Sequence, residues 1–183
     1  LHEDVEVLRA QVELVLGAAE IEADLRLQFA LGVFAVMALA LSASSFINST
    51  LVERFGMRVL SHFAVVVYCV TTSLMYMLAI GDMLGFWAFA VIHSVNMLLV
   101  GLIFSNFNAL AMEPQGHIAG TASSLYGSIT TLLGIGVGVT IGQDYDGTLL
   151  PFATGFFLST LAALAVVLVV EKGRLFRPHG VKV

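Results

Sequence analysis

Five apolar stretches without Asp, Glu, Lys or Arg make up most of the chain. They cover residues 27–52, 59–81, 83–112, 114–143 and 147–170. A helix needs about 20 apolar residues to cross a bilayer, and a charged side chain at its centre costs about 2.5–3.5 kcal/mol. Each stretch is therefore long enough to cross once, and none is long enough to cross twice. We predict transmembrane helices at 27–50, 59–80, 85–112, 118–142 and 152–170.

The links between these stretches are short, so consecutive helices should be antiparallel neighbours. Bases are enriched in cytoplasmic loops, and with five spans most bases of the chain fall on one side. They are Arg54, Arg58, Lys172, Arg174, Arg177 and Lys182. We predict that this side is cytoplasmic, that the basic tail 171–183 lies there, and that the helices cross the plasma membrane, which is the inner membrane in bacteria.

Composition supports the same class. The chain is 58% hydrophobic and 11% charged, with a mean hydropathy of +0.96, whereas soluble domains are about 25% charged. We predict an all-α, polytopic transmembrane helix bundle in contact with the lipid bilayer. Seven of the thirteen acids lie in the first 24 residues. Residues 1–26 are thus an acidic leader, either an amphipathic helix on the membrane surface or a disordered segment.

The third span carries the most polar groups. At 100° per residue, one of its faces holds a histidine, two asparagines, a methionine and a phenylalanine. Polar groups in a membrane normally face the bundle or a water-filled cavity. We therefore predict a substrate cavity lined by this face, and His93 is a candidate for proton exchange or for an interhelical hydrogen bond. The predicted cavity residues are His93, Asn96, Met97, Phe104 and Asn108.

The fourth span carries small residues at four-residue intervals, which place them along one side of a helix. In lipid, helices associate through close backbone contact at such small residues. We predict that this side packs against another helix. The residues are Gly120, Ser124, Ser128, Gly134, Gly138 and Gly142.

Two segments resemble a known family. The link with Glu53, Arg54, Gly56 and Arg58 looks like the acid–basic–aromatic–Gly–x–basic loop of the major facilitator superfamily. Residues 101–128, with Ala-Met-Glu-Pro followed by Ala-Gly-Thr-Ala-Ser, are similar to drug:proton antiporters of the bicyclomycin/chloramphenicol-resistance type. Ser105 stands where that family has proline.

The resemblance implies a partial major facilitator fold, with the five spans corresponding to the eighth through twelfth of twelve. It implies that the chain is the C-terminal half of a multidrug efflux transporter, which exchanges small lipophilic drugs for protons by alternating access. The charged loop would change its ion pairs between conformations. The fourth span would contact the missing N-terminal half, without which we expect no activity.

Two other classes of function were weighed against a transporter, a structural or interaction module and an enzyme. The chain could be a fragment, or an orphan half-transporter that acts as a structural or interaction module in the membrane. We do not expect an enzyme, because the spans contain no Asp or Glu, no second histidine lies near His93, and no Gly-x-Ser-x-Gly pattern is present. The sequence also predicts no catalytic residue, metal site, cofactor or nucleic-acid partner, and the lone Cys69 excludes an internal disulfide.

Overall fold

The computed structural model describes residues 2–176, and in that range every regular element is helical. Five α-helices and one short 3₁₀ segment follow each other along the chain. They are α1 (His2–Phe55), α2 (Met57–Ile80), α3 (Phe86–Met112), the 3₁₀ segment Glu113–Ile118, α4 (Ala119–Gln143) and α5 (Leu150–Val170). The predicted all-α helix bundle is confirmed. Arg177 and Lys182 of the predicted basic tail lie outside the described residues.

Four helical stretches in the described range are long and apolar enough to cross a membrane. They are Gln11–Phe55, Met57–Ile80, Phe86–Gln143 and Leu150–Val170. The third is 58 residues long, more than twice what one crossing needs, and it joins α3 and α4 through the 3₁₀ segment. The five-span prediction counts this stretch as two spans.

Glycine and proline mark the boundaries between helices. Gly56 is the single residue between α1 and α2, and its φ of 79° is a backbone conformation that side chains disfavour. Pro114 lies in the first turn of the 3₁₀ segment and Pro151 in the first turn of α5, where a missing N–H costs nothing. These residues end one helix and start the next within a few residues.

The loop before α5 is held by an aspartate. Asp146 Oδ1 accepts hydrogen bonds from the Thr148 backbone N–H at 2.9 Å and from the Thr148 hydroxyl at 2.7 Å. The Thr148 hydroxyl oxygen in turn accepts the Leu150 N–H at 3.2 Å. The bonds from Thr148 hold the pKa of Asp146 below its ordinary value.

The chain divides into two units, residues 1–38 and 39–183. The described part of the first unit consists of the N-terminal portion of α1, so the acidic leader is helical. Local side-chain pairs lie along it, including Arg26 with Glu22 at 2.6 Å and Gln28 with Asp24 at 2.8 Å. Such exposed pairs one turn apart add only a few tenths of a kcal/mol each to helix stability.

In the second unit, α2 packs between α3 and α5. One apolar cluster is centred on Ala64, Leu99 and Leu102. Another is centred on Met75, Ala79 and Ala153, with phenylalanines packed around it. α2 thus forms the centre of the bundle, and small residues in it allow the neighbouring helices to approach.

Residues 39–55 of α1 meet α3 through small and polar side chains. The Asn106 Nδ2 group donates to Asn48 Oδ1 at 2.6 Å. Gly101 lies against Ser44, so that a Cβ added at Gly101 would overlap the serine hydroxyl and come within 2.6 Å of its Cβ. Close approach at a glycine together with an interhelical amide bond is typical of membrane helix packing.

Candidate functional site

The predicted cavity face of α3 is divided between two environments. In the N-terminal half of α3 this face is buried. His93 is 7% exposed, and its ring is stacked on Phe89 with centroids 5.3 Å apart. Phe152 and Phe156 of α5 meet the same imidazole edge-on at 5.2 and 5.3 Å. His93 Nδ1 is buried without a hydrogen-bond partner in the described structure. These contacts place His93 inside an aromatic cluster between α3 and α5.

Asn96 is fully buried and accepts a hydrogen bond from the Thr71 hydroxyl of α2 at 2.5 Å. Met97 and Asn108 are half-buried. Phe104 is 56% exposed and lies on the wall of a cleft. The structure therefore does not bring the five predicted residues together in one cavity, and Phe104 alone of them reaches the cleft.

This cleft has a volume of about 550 Å³ and is lined by α2, α3, α4 and α5. Its wall is mainly aliphatic and aromatic. Drug-sized ligands occupy pockets of about 300–1,000 Å³ with mainly apolar walls and a few polar groups. The lining residues are His62, Val65 and Tyr68 of α2, Val100, Ile103, Phe104 and Phe107 of α3, Tyr126 of α4, and Thr160, Ala163, Val166, Val167, Val170 and the adjacent Glu171 of α5.

Charged groups form one end of the cleft. Glu171 Oε1 lies 3.1 Å from Arg58 Nε and 3.5 Å from His62 Nε2. His62 Nδ1 accepts the backbone N–H of Phe176 at 3.2 Å, and the two rings meet edge-on. The start of α2, the end of α5 and the following turn are therefore joined at this end.

The predicted conformational loop is partly engaged in that cluster. Glu53 is exposed, and the Arg54 guanidinium lies 5.6 Å from the centre of the Phe55 ring. Gly56 forms the turn, and Arg58 pairs with Glu171 across the bundle. Our sequence reasoning did not select Glu171 or His62 as site residues. Two signals pointed to them: Glu171 directly follows the last apolar stretch, and His62 lies one helical turn after Arg58.

The small-residue side of α4 has no helix against it in the described structure. Gly120, Ser124, Ser128, Gly134, Gly138 and Gly142 are all exposed. A Cβ added at any of these four glycines would meet nothing within 4 Å. Near the other side, Ile141 packs so closely on Gly155 of α5 that a Cβ there would overlap it. α4 is thus open along the predicted contact side, and its residues 131–140 are exposed on every face of the helix.

Comparison with known proteins gives one partial match. An uncharacterized MFS-type transporter, YdgK of Bacillus subtilis strain 168, is 34% identical over 67 residues, which cover 37% of this chain and 16% of the relative. The chain therefore matches less than a fifth of that transporter's length. No family model matches the chain, and no solved structure matches it significantly. The matched segment is therefore similar to part of an MFS-type transporter, and the four long apolar helical stretches of the described residues are those of a multi-pass helical membrane protein in contact with lipid.

Proposed function

We propose that the chain is the C-terminal half of a secondary transporter that exchanges small lipophilic drugs for protons across the bacterial inner membrane, with its C-terminus in the cytoplasm. The observation that carries this proposal is the apolar cleft of about 550 Å³. Its volume and lining suit a small lipophilic ligand. Its wall includes Phe104 from the face where the sequence predicts a substrate cavity.

Proton exchange needs a group that titrates near neutral pH, and histidine is the side chain that does so most readily. His62 lies at the charged end of the cleft, and His93 lies in the aromatic cluster. We assign the coupling role to His62 and His93 as a proposal, and the half-buried Met97 and Asn108 would complete the wall of the cavity in the whole transporter. Alternating access would move this bundle against a second one.

The open side of α4 supports the half-transporter part of the proposal. A membrane helix with small residues at regular spacing is typical of a helix–helix contact, yet these residues meet no helix within the second unit. We propose that the N-terminal half of the transporter covers this side.

The cleft can be tested with two neighbouring alanines of α5. Ala163 lines the cleft and Ala162 does not, although both residues are exposed. In the full-length protein, Ala163→Trp should fill the cleft and raise the cellular accumulation of labelled chloramphenicol to the level seen after a protonophore. Ala162→Trp is the matched control and should leave efflux intact. Equal efflux by the two variants at equal abundance would overturn the proposal.

The α4 contact is tested by substitution and cross-linking at Gly138. Gly138→Leu should insert normally in the full-length protein and lose efflux, because the larger side chain holds the halves apart. Gly138→Cys should cross-link to the N-terminal half. Cross-links to a separate polypeptide would instead favour the alternative, an orphan half-transporter with a structural or interaction role. Cross-links confined to residues 27–170 would exclude both.

A further inference from the structure

The imidazole of His62 is contacted at both of its ring nitrogens, and its side chain is 1% exposed. Nδ1 accepts the backbone N–H of Phe176 at 3.2 Å, and Glu171 Oε1 lies 3.5 Å from Nε2. A neutral imidazole carries one ring proton, and the nitrogen that accepts a hydrogen bond is the one without it. Because a backbone N–H can only donate, the proton of neutral His62 lies on Nε2, beside Glu171.

A second proton on His62 must bind at Nδ1, since Nε2 already carries one. Both nitrogens of an imidazolium are donors, so two N–H groups would then face each other across the 3.2 Å between His62 Nδ1 and the Phe176 nitrogen. The hydrogen bond is lost, and the Phe176 amide must move to find another acceptor. Protonation therefore breaks the contact with Phe176 and leaves the Nε2–H beside Glu171.

The backbone of Phe176 adopts a conformation that a bulky side chain disfavours. Its φ is 63°, in the left-handed region that residues other than glycine rarely adopt. The preceding turn is closed by its own backbone, where the Arg174 N–H donates to the Glu171 carbonyl at 2.9 Å. Phe176 is attached to α2 through its amide bond to His62 and the edge-on contact of the two rings at 6.2 Å. Loss of the amide bond removes one attachment and lets the backbone leave a strained conformation.

Two charged groups of opposite sign face His62. Arg58, one turn earlier on α2, repels an imidazolium, and Glu171 at the end of α5 attracts it. In the turn that follows α5, Lys172 and Arg174 are exposed. α3 and α4 face the same cleft with side chains that are uncharged at neutral pH. They are Val100, Ile103, Phe104, Phe107 and Tyr126.

We propose that His62 Nδ1 is the proton-binding site of a conformational switch. Neutral His62 holds the turn at Phe176 against the charged end of the cleft, and a proton taken up from water at Nδ1 releases it. This inference rests on the proposed function, because it specifies what a proton bound by His62 does. Since His62 lines the cleft, the bound proton changes the structure at one end of the proposed ligand site.

The switch can be followed by NMR on the full-length protein in nanodiscs, labelled with ¹⁵N-histidine and ¹⁵N-phenylalanine. The imidazole ¹⁵N signals report which nitrogen of His62 carries the proton at each pH. Phe176→Tyr, which keeps an aromatic ring, identifies the Phe176 amide by the signal that disappears. Its protection factor is the intrinsic exchange rate divided by the measured rate at the same pH. We expect this factor to fall about tenfold as His62 becomes protonated between about pH 8 and pH 5, as for the loss of one hydrogen bond.

Two glutamine substitutions separate the role of His62 from that of histidines in general. His62→Gln offers a carbonyl acceptor that does not titrate, so the protection factor of the Phe176 amide should stay constant with pH. His117→Gln removes an exposed histidine outside the cleft and is the matched control. The control should keep the full fall in protection with the same midpoint.

The labelled protein with His62 intact already decides the main point. A neutral His62 whose proton lies on Nδ1 would overturn the switch, and so would a His62 that stays neutral over the whole pH range. Constant protection of the Phe176 amide while His62 titrates would also overturn it. A fall in protection that persists in His62→Gln would assign the pH dependence to another group and refute the role of His62.

Failure of the switch and failure of the proposed function give different results. The NMR measurements include no drug, so a negative result there leaves the cleft as a transport site. Equal efflux by Ala163→Trp and Ala162→Trp together with a working switch would refute the proposed function and keep His62 Nδ1 as a proton-binding site.

Discussion

Replacing Gly101 by alanine adds a methyl group where α3 crosses α1. The new Cβ would overlap the Ser44 hydroxyl, lie 2.6 Å from Ser44 Cβ and lie 3.2 Å from a methyl group of Leu41. The serine hydroxyl cannot simply turn away, because it donates to the Leu41 carbonyl at 2.6 Å and its residue is 1% exposed. The steric overlap can therefore be relieved only if α1 and α3 move apart.

The size of the effect follows from two opposing contributions. Extra carbons in a packed interior cost about 1–3 kcal/mol, whereas alanine is favoured over glycine within a helix by about 0.5–1 kcal/mol. Gly127 of α4 supplies the matched control, since a Cβ added there meets nothing within 4 Å. We expect Gly101→Ala to be about 1–3 kcal/mol less stable than Gly127→Ala.

The measurement is the free energy of unfolding in mixed micelles titrated with sodium dodecyl sulfate and followed by far-ultraviolet circular dichroism. Ser44→Gly removes the two nearest of the three atoms that the methyl group meets, so adding it to Gly101→Ala should recover most of the loss. Equal stability of the Gly101 and Gly127 variants would refute the packing of α1 on α3. Failure of Ser44→Gly to recover stability would show that the cost arises elsewhere.

Three further predictions concern polar residues. His93→Phe should preserve the ring contacts and stability within about 1.5 kcal/mol, whereas His93→Ala should lose about 2–5 kcal/mol, both measured by the same titration; equal losses would contradict the aromatic packing. Asn48→Ala should cost about 0.6–2 kcal/mol, and a double-mutant cycle with Asn106→Ala should show coupling between them; additive losses would argue against the hydrogen bond. Because the folded pKa of Asp146 is depressed, its contribution to stability is complete above the unfolded pKa and is lost as pH falls through the folded pKa. The protection factor of the Thr148 amide, which is its intrinsic exchange rate divided by the measured rate at the same pH, should therefore stay constant above the unfolded pKa and fall as pH drops through the folded pKa of Asp146, and Asp146→Asn should remove this fall.

The helical class could be predicted from the sequence because the membrane imposes a simple rule. Long stretches without charge must satisfy their backbone within one helix, and this rule led directly to the confirmed helix bundle. The packing of α3 could not be predicted in the same way. Helical periodicity places His93 and Phe104 on one face of α3. It does not show that phenylalanines of α5 cover His93, or that Phe104 lies on the wall of a cleft.

The charged end of the cleft shows a second limit of sequence reasoning. Arg58 and Glu171 are separated by more than a hundred residues, and each is an ordinary charge at the end of an apolar stretch. Only the antiparallel arrangement of α2 and α5 brings them together, and His62 joins them because it lies one turn further along α2. A single sequence carries no signal for that distant pairing, whereas the turn at Gly56 was readable from local chemistry.

The connection at Gly56 also restricts how the bundle can rearrange. Because only Gly56 separates α1 from α2, there is no linker that would let the adjoining ends of the two helices slide along each other. Relative movement at this corner must be a rotation about the φ and ψ angles of Gly56, which act as a hinge. A side chain at this position would narrow the available angles, since a φ of 79° is strained for any residue other than glycine. The corner would then become stiff without any change in the contacts on either side.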